Sequence, residues 1–260
     1  MELIDTHCHI HSKDYPLDTK DVIQDAAKDK IVKMIAVGLD VEDSKLAIKL
    51  AKNNKVIWAS IGIHPHEAKH FSSNKTELNE FSSLALQKKV IAVGECGLDY
   101  YYDRSDKFSQ KELLEFQLQV ASDNNLPLIF HVREAFDDFW QILDNFKNIK
   151  GVIHSFTADN EALEQTLKRN LLIGLNGIVT FTKNSNQIEV IKKAPIESII
   201  LETDAPYLTP VPFRGTICQP KHVLYTAEFL AELRNETLDN FAKSTTGNAI
   251  KLFNLKDLDA

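Results

Sequence analysis

Two histidines near the start of the chain have the spacing of a metal-binding pair. His7 and His9 stand in the segment Asp5-Thr6-His7-Cys8-His9, which follows a short apolar run. In a β-strand alternate side chains share a face, so both imidazoles would point one way and Cys8 the other. Two imidazoles at this spacing can hold one divalent cation. A histidine pair of this spacing, taken alone, is as often a structural feature of a strand end as a metal site.

Four further residues of metal-ligand types follow other apolar runs: Glu95, His131, His154 and Asp204. Each alone has a structural reading, as an ion-pair partner, a hydrogen-bonded core histidine or a helix cap. Six candidate ligands at five strand ends nevertheless favour a shared metal site over unrelated roles. Mixed imidazole and carboxylate ligands suit zinc, manganese, nickel or iron, and magnesium where water completes the coordination.

The elements that position these residues read as repeated strand–helix units. Apolar β-branched runs alternate with amphipathic stretches such as Ser109–Asn124, which predicts a parallel sheet. Eight such units in 260 residues favour a TIM-like (β/α)8 barrel as a single domain over residues 1–260. Carboxyl ends of barrel strands meet at one mouth, where active sites lie. The runs are Glu2–Asp5, Val32–Val37, Val56–Ile63, Val90–Val93, Leu126–Phe130, Gly151–Ile153, Leu171–Leu175 and Ser198–Leu201.

The composition is that of a globular protein with a sizeable core, since 43% of residues are hydrophobic and 26% charged. The net charge of -7 and the lack of a basic stripe argue against a nonspecific duplex-DNA binder. They argue less against an enzyme whose bound cations supply positive charge. We find no apolar run of about 18 residues and no signal peptide, so no membrane association is expected. Three well-separated cysteines predict a cytoplasmic protein.

At the candidate ligands the sequence resembles the TatD family of metal-dependent hydrolases, often called TatD deoxyribonucleases, within the amidohydrolase superfamily. The matching segments run in family order from residue 5 to 253, and GECGLDYY with ETDAPYLTP is a specific signal. The segments are DTHCHI (Asp5–Ile10), GIHPH (Gly62–His66), GECGLDYY (Gly94–Tyr101), HVREA (His131–Ala135), HSF (His154–Phe156), ETDAPYLTP (Glu202–Pro210), PFRG (Pro212–Gly215) and TTGNAIKLF (Thr245–Phe253).

The resemblance implies a TIM-like barrel that holds two divalent ions, with Mg, Mn, Zn and Ni as candidates. In the family pattern Glu95 bridges both ions. The first ion is held by the residues matching His7, His9, Glu95 and Asp204, and the second by those matching Glu95, His131 and His154. Every ligand position is filled, which argues for an active enzyme.

Two departures from the family pattern bear on substrate preference. Ala158 stands where the family commonly has glycine, and Cys218-Gln219-Pro220 stands where a segment commonly ends in Asn-Glu-Pro. Neither change touches a candidate metal ligand. The sequence leaves open the physiological metal, the natural substrate and the oligomeric state.

The resemblance implies a deoxyribonuclease, similar to a 3′-5′ exonuclease, that cleaves phosphodiester bonds with a water activated by two metals. The expected substrate is DNA, as single strands or 3′ ends. Asp204 is the expected general base, and Glu95 acts with it as a catalytic residue. His64, Arg133 and Tyr100 are expected to contact the substrate, although each also has a structural reading.

Further predictions concern the surroundings of the site. Asp99 and Glu202 are expected to fix ligand geometry, and His66, His70 and His222 are given no metal role. The tyrosines next to Tyr100 could stack on a base or pack a loop. Two alternative functions stay open: hydrolysis of a small amide, an ester or an aminoacyl-tRNA ester by the same metals, and metal binding without turnover.

Overall fold

Eight β-strands alternate with α-helices in this computed structural model, which describes residues 1–71, 74–102 and 104–255. The strands are β1 (Leu3–Cys8), β2 (Ile31–Val37), β3 (Ile57–Ile61), β4 (Val90–Asp99), β5 (Leu128–Arg133), β6 (Gly151–Ile153), β7 (Leu172–Leu175) and β8 (Ile199–Leu201). The helices are α1 (Thr19–Lys28), α2 (Val41–Asn53), α3 (Ala68–Phe71), α4 (Lys75–Leu84), α5 (Lys107–Asn124), α6 (Phe136–Leu143), α7 (Asn160–Lys168), α8 (Ser185–Lys193), α9 (Val223–Leu233) and α10 (Leu238–Phe253).

The strands form one sheet in chain order, from β1 to β8. The last strand also neighbours the first, because Thr6 Oγ1 donates a hydrogen bond to the carbonyl oxygen of Leu201 at 2.9 Å. A parallel bridge joins Cys8 to Ala205 just beyond β8. A sheet whose first and last strands are neighbours has closed on itself, so the predicted (β/α)8 barrel is confirmed.

The strand ends differ from the predicted runs at three candidate ligands. β1 continues to Cys8, β4 to Asp99 and β5 to Arg133, so His7, Glu95 and His131 lie inside their strands and not beyond them. An apolar run ends at its first polar residue, whereas a strand continues as long as its backbone is paired. The polar side chains of His7 and Glu95 are tolerated in buried positions because they face other polar groups.

Close packing divides the chain into two compact units. The first unit comprises Met1–Ile35 and Ser155–Ala260, and the second comprises Ala36–His154. The single domain predicted over 1–260 stays a prediction, and residues 256–260 lie outside those described. None of the described helices has the length and apolar character needed to cross a membrane.

Carboxylates and hydroxyls cap many of the helices that follow the strands. In the first unit Asp18 accepts hydrogen bonds from the backbone of α1, and Asp159 and Thr237 do the same for α7 and α10. Such caps satisfy backbone donors that the helix itself leaves unpaired. Helix α10 packs against both β1 and β8, and its buried Phe241 and Phe253 belong to the core of this unit.

In the second unit two glycines bring β4 close to β5. Gly94 and Gly97 have φ values of 147° and 148°, a region that favours glycine. A Cβ on Gly94 would collide with the carbonyl oxygen of Ile129, and one on Gly97 with that of His131. The register of β4 against β5 shifts between Val93 and Cys96. Such an irregularity re-aims a side chain, and the residues within this one are Gly94 and Glu95.

Candidate functional site

Three imidazoles converge on one carboxylate oxygen in the second unit. Glu95 Oε1 lies 2.7 Å from His131 Nδ1, 3.1 Å from His154 Nε2 and 3.5 Å from His64 Nε2. We call Glu95, His64, His131 and His154 the Glu95 cluster. Glu95 comes from β4 and His131 from β5, while His154 follows β6 directly and His64 follows β3. Consecutive parallel strands thus deliver the side chains from neighbouring positions, as the sequence predicts.

Asp99 fixes the orientation of His131. Its Oδ2 lies 2.9 Å from His131 Nε2 and 3.1 Å from His66 Nε2, and its side chain is fully buried. In a neutral ring whose Nε2 donates to Asp99, Nδ1 would have a lone pair that faces Glu95. A carboxylate on the far nitrogen of an imidazole is a common support of metal-ligating histidines.

Hydrogen bonds identify His64 as a donor toward Glu95. The backbone N–H of His66 donates to His64 Nδ1 at 3.2 Å, so a neutral ring carries its proton on Nε2. Burial lowers the pKa of His64 to about 4, although Glu95 opposes that shift, and the ring is therefore neutral near pH 7. A protonated Nε2 cannot ligate a metal, which separates His64 from the other two imidazoles of the cluster.

The electrostatics of the Glu95 cluster favour a carboxylate surrounded by positive charge. Burial alone would raise the pKa of Glu95, but the charge on His154 and hydrogen bonds from the three histidines hold it well below its usual range. Burial opposes the charged form of His131, yet Asp99 and Glu95 raise its pKa. The carboxylates of Asp99 and Glu95 both face the ring of His131, so this arrangement requires a cation, which can be a proton or a metal ion.

In the first unit His7, His9 and Asp204 meet around a second centre. His7 Nε2 lies 3.1 Å from His9 Nε2, and Asp204 Oδ1 lies 3.7 Å and 3.4 Å from these two nitrogens. We call these three residues the His7–His9 cluster. Asp204 adopts a left-handed backbone with φ of 59°, and its N–H donates to the carbonyl oxygen of His7 at 2.8 Å. That bond ties the segment after β8 directly to β1.

A buried carboxylate that the sequence analysis left without a role supports the His7–His9 cluster. Asp5 Oδ1 accepts hydrogen bonds from the backbone of Thr203 at 2.9 Å and of His7 at 3.3 Å, and Oδ2 accepts from Thr203 Oγ1 at 2.6 Å. Burial raises the pKa of Asp5 to about 8, against these hydrogen bonds. Asp5 stands two residues before His7 on the same strand face, a spacing that could have signalled its role.

Glu202 orders the backbone near the end of β8. Its Oε1 accepts a hydrogen bond from the N–H of Ser155 at 2.6 Å and from Asn176 Nδ2 at 3.1 Å. The side chain is buried. Its carboxylate occupies the space that a Cβ on Gly174 would need. The expected role of Glu202 in fixing ligand geometry stays a prediction.

Both clusters have the donor chemistry and the spacing of a metal site. Ligands bonded at about 2.0–2.2 Å to one tetrahedral ion lie roughly 3.4 Å apart. The separations of 3.1–3.7 Å in the His7–His9 cluster and of 3.1 Å between Glu95 and His154 are close to that value, whereas the 2.7 Å between Glu95 and His131 is a hydrogen-bond distance. Nitrogen and oxygen ligands without cysteine suit a borderline or hard divalent ion. The residues therefore fit the metal dependence that the sequence predicts.

Two residues predicted to contact the substrate, Arg133 and Tyr100, differ in exposure and in the contacts that they make within the protein. Arg133 ends β5 and is exposed, with its guanidinium 4.0 Å from the ring centre of Tyr101. Tyr100 is half-buried, and its hydroxyl donates to Asp138 Oδ2 at 2.6 Å. Burial and Asp138 raise the pKa of Tyr100. The hydroxyl is thus held by the protein, whereas the next two tyrosines are exposed.

The family departure at Cys218 lies close to the segment that carries Asp204. The N–H of Cys218 donates to the carbonyl oxygen of Pro206 at 3.0 Å, and its side chain is buried. The N–H of Gln219 donates to His222 Nδ1 at 3.2 Å. His222 thus has a structural contact, and Cys218 packs behind the loop that follows Asp204.

Comparisons with known proteins show which family and which solved structures this chain resembles. A family model described as TatD related DNase matches residues 4–254. The uncharacterized metal-dependent hydrolase YabD of Bacillus subtilis is 36% identical over 255 residues, covering 97% of this chain and 99% of the relative. The crystal structure of YjjV, a TatD homologue from Escherichia coli, is 30% identical with a TM-score of 0.90, covering 98% of each chain.

A structure with lower sequence identity also has a similar fold. An uncharacterized amidohydrolase from Saccharomyces cerevisiae superposes with a TM-score of 0.86 at 22% identity, covering 97% of this chain and all (100%) of that one. At this identity the likeness concerns the fold alone. Together with the closer relatives, it covers nearly the whole described chain.

Proposed function

Because the chain belongs to the TatD family of metal-dependent hydrolases, we propose that it cleaves phosphodiester bonds of DNA, removing nucleotides from a 3′ end. The observation that carries the proposal is the convergence of His131 and His154 on one oxygen of Glu95, with His64 as a nearby hydrogen-bond donor. Metal-ligand chemistry thus lies beside a neutral donor suited to a phosphate oxygen.

We assign one divalent ion to each cluster. His131, His154 and Glu95 would hold one, and His7, His9 and Asp204 the other. Ions bound there would polarise the phosphate and activate the attacking water. The prediction that Glu95 serves both ions, and the choice among Mg, Mn, Zn and Ni, stay predictions.

The protein's own residues then have distinct roles in the reaction. Asp204, whose side chain is 15% exposed, accepts a proton as the water oxygen attacks phosphorus. The bond from phosphorus to the leaving sugar oxygen breaks, and the proton passes to that oxygen. His64 Nε2 and the guanidinium of Arg133 donate to the nonbridging oxygens and hold the phosphate in place.

Replacing the central carboxylate tests this function. Glu95→Gln should lose bound metal, measured by elemental analysis, and release no nucleotides from a labelled single-stranded oligonucleotide. The exposed Glu228 on α9 provides the control, since Glu228→Gln should keep both properties. Full nuclease activity with Glu95→Gln would refute the assignment.

The same preparation should be assayed against esters and amides, including an aminoacyl-tRNA ester. Hydrolysis confined to the DNA substrate and lost with Glu95→Gln supports the proposal. Metal-dependent hydrolysis of carbon esters without release of nucleotides would replace it with the alternative reaction on the same residues.

A further inference from the structure

Two exposed tyrosines and an arginine form an aromatic, cationic surface in the second unit. Tyr101 and Tyr102 are 53% and 41% exposed, and their rings are perpendicular with centres 4.8 Å apart. The guanidinium of Arg133 lies 4.0 Å from the centre of the first ring and 4.9 Å from that of the second. We call these three residues the tyrosine–arginine platform.

The carboxylate that supports His131 also positions the platform. Asp99 Oδ1 accepts hydrogen bonds from the N–H groups of Tyr101 and Tyr102, both at 3.0 Å. Gln110 in turn clamps Asp99 on both sides, since Oε1 accepts from its N–H at 2.8 Å and Nε2 donates to its carbonyl at 3.0 Å. A surface fixed in this way loses little conformational freedom on binding.

Successive ring contacts connect the platform to the Glu95 cluster. The ring of Tyr102 lies 5.5 Å from that of His66, and His66 lies 4.3 Å from His64, measured between ring centres. His64 itself is 4.6 Å from His131 by the same measure. A ligand on Tyr102 would therefore have its neighbouring group beside His64 and His131.

Cationic side chains lie beside the tyrosine rings of this segment, although the chain as a whole is acidic. The net charge is -7, yet Arg104 lies 5.8 Å from the ring of Tyr102, and Lys107 lies 4.2 Å from that of Tyr100. Cations next to exposed aromatic faces suit a ligand that carries both flat rings and negative charge.

From this arrangement we infer that the tyrosine–arginine platform binds an unpaired base next to the scissile phosphate of a nucleic acid strand. The inference rests on the proposed function and deepens it, because it assigns to these three residues the binding of the base beside the cleaved bond. Bases inside a duplex are already stacked on each other, so the tyrosine rings can accept only an unpaired one. Arg133 contributes its charge to the adjoining phosphate and stacks on Tyr101.

Binding to a labelled, phosphorothioate-protected oligothymidylate tests the platform without turnover. Tyr101→Ala and Tyr102→Ala should each weaken binding by roughly 5- to 150-fold, as expected for loss of one base stack. Tyr101→Phe and Tyr102→Phe should bind like the wild type because they keep the ring. Arg133→Gln should lower the slope of log affinity against log salt by about 0.7, the value for one phosphate contact.

An abasic oligomer and the exposed aromatic Phe108 serve as controls. Wild type should bind the abasic oligomer weakly, the alanine variants should weaken that binding no further, and Phe108→Ala should bind both oligomers like the wild type. Alanine variants that bind oligothymidylate within twofold of wild type would overturn the inference. The inference also fails if the alanine variants lose affinity for both oligomers equally, or if the wild type binds neither oligomer.

The two proposals fail in different ways. A wild-type protein that binds oligothymidylate through the platform but releases no nucleotides would refute the nuclease and leave the platform. Normal nucleotide release by the doubly substituted Tyr101→Ala, Tyr102→Ala protein at low substrate would refute the platform and leave the nuclease. Oligouridylate in parallel distinguishes DNA from RNA, since either source supplies an unpaired pyrimidine.

Discussion

Asp99 Oδ2 lies 2.9 Å from His131 Nε2, the ring nitrogen that does not face Glu95. The same carboxylate holds the backbone of Tyr101 and Tyr102 through its other oxygen. One buried side chain therefore sets both the orientation of a candidate metal ligand and the position of the tyrosine–arginine platform. Removing its charge should affect the two functions together, which a residue serving only the local fold would not do.

Asp99→Asn should weaken metal binding by about 10- to 100-fold, because the imidazole of His131 loses the charged acceptor that orients it. Competition with a chelating dye measures the affinity. Asp138→Asn is a matched control, since among the described residues Asp138 contacts Tyr100 and Lys111 and not the histidines of the Glu95 cluster. An Asp99→Asn protein with wild-type metal affinity would contradict the orienting role.

His64→Ala should keep its bound metal and lose about 10²–10³-fold in DNA hydrolysis, the usual effect of removing one donor to a developing negative charge. The reason is the Nε2 proton, which the hydrogen bond on Nδ1 requires. Elemental analysis and turnover on the same sample measure both quantities. Loss of metal in this variant would instead make His64 a ligand, and His64→Gln, which keeps a donor, should recover part of the rate.

The sequence predicts most of the fold and the identity of the clustered residues. Alternation along β1 correctly places His7 and His9 together, because strand periodicity is a local property. The (β/α)8 barrel is predicted from repeated strand–helix units, which are also visible locally. Asp99 is predicted as a supporting residue, and the structure places it against His131.

Features that depend on distant neighbours escape this kind of reasoning. Asp5 contacts Thr203, which is 198 positions away, so neither residue alone indicates the pair. Tyr100 and Tyr101 look equivalent in sequence, yet Asp138 engages the hydroxyl of one and the other is exposed. The register shift at Glu95 depends on how β4 meets β5, which the residues of β4 do not reveal.

Gly97→Ala should lower the free energy of unfolding by about 2–5 kcal/mol, because the added Cβ collides with the carbonyl oxygen of His131 and the backbone favours glycine. Chemical denaturation followed by circular dichroism measures the loss. Gly247 in helix α10 is the control, since a Cβ there meets no atom within 4 Å. Gly247→Ala should stabilise the protein by about 0.5–1 kcal/mol, because alanine favours a helix. Equal effects of the two changes would contradict the steric argument.

His222 is buried as a neutral ring in the first unit. It stacks on Phe213 with ring centres 5.0 Å apart and planes 10° from parallel, and its Nδ1 accepts a hydrogen bond from the N–H of Gln219. Burial, aided by the charge of Lys221, lowers the pKa of His222 to about 4. In the unfolded chain the pKa is about 6.5. Between these values the unfolded state binds a proton that the folded state excludes.

The stabilising effect of a neutral His222 should therefore be fully present above pH 6.5 and decline as the pH falls toward 4. The difference between the two pKa values corresponds to a loss on the order of 3 kcal/mol in the free energy of unfolding. His222→Gln removes the titrating group, so wild type should be clearly more stable than the variant at pH 7, and the gap should narrow by pH 4. Urea denaturation at several pH values measures this gap, with the exposed His70→Gln as the control. A gap that is constant from pH 7 to pH 4 would mean that His222 stabilises the fold only by packing against Phe213.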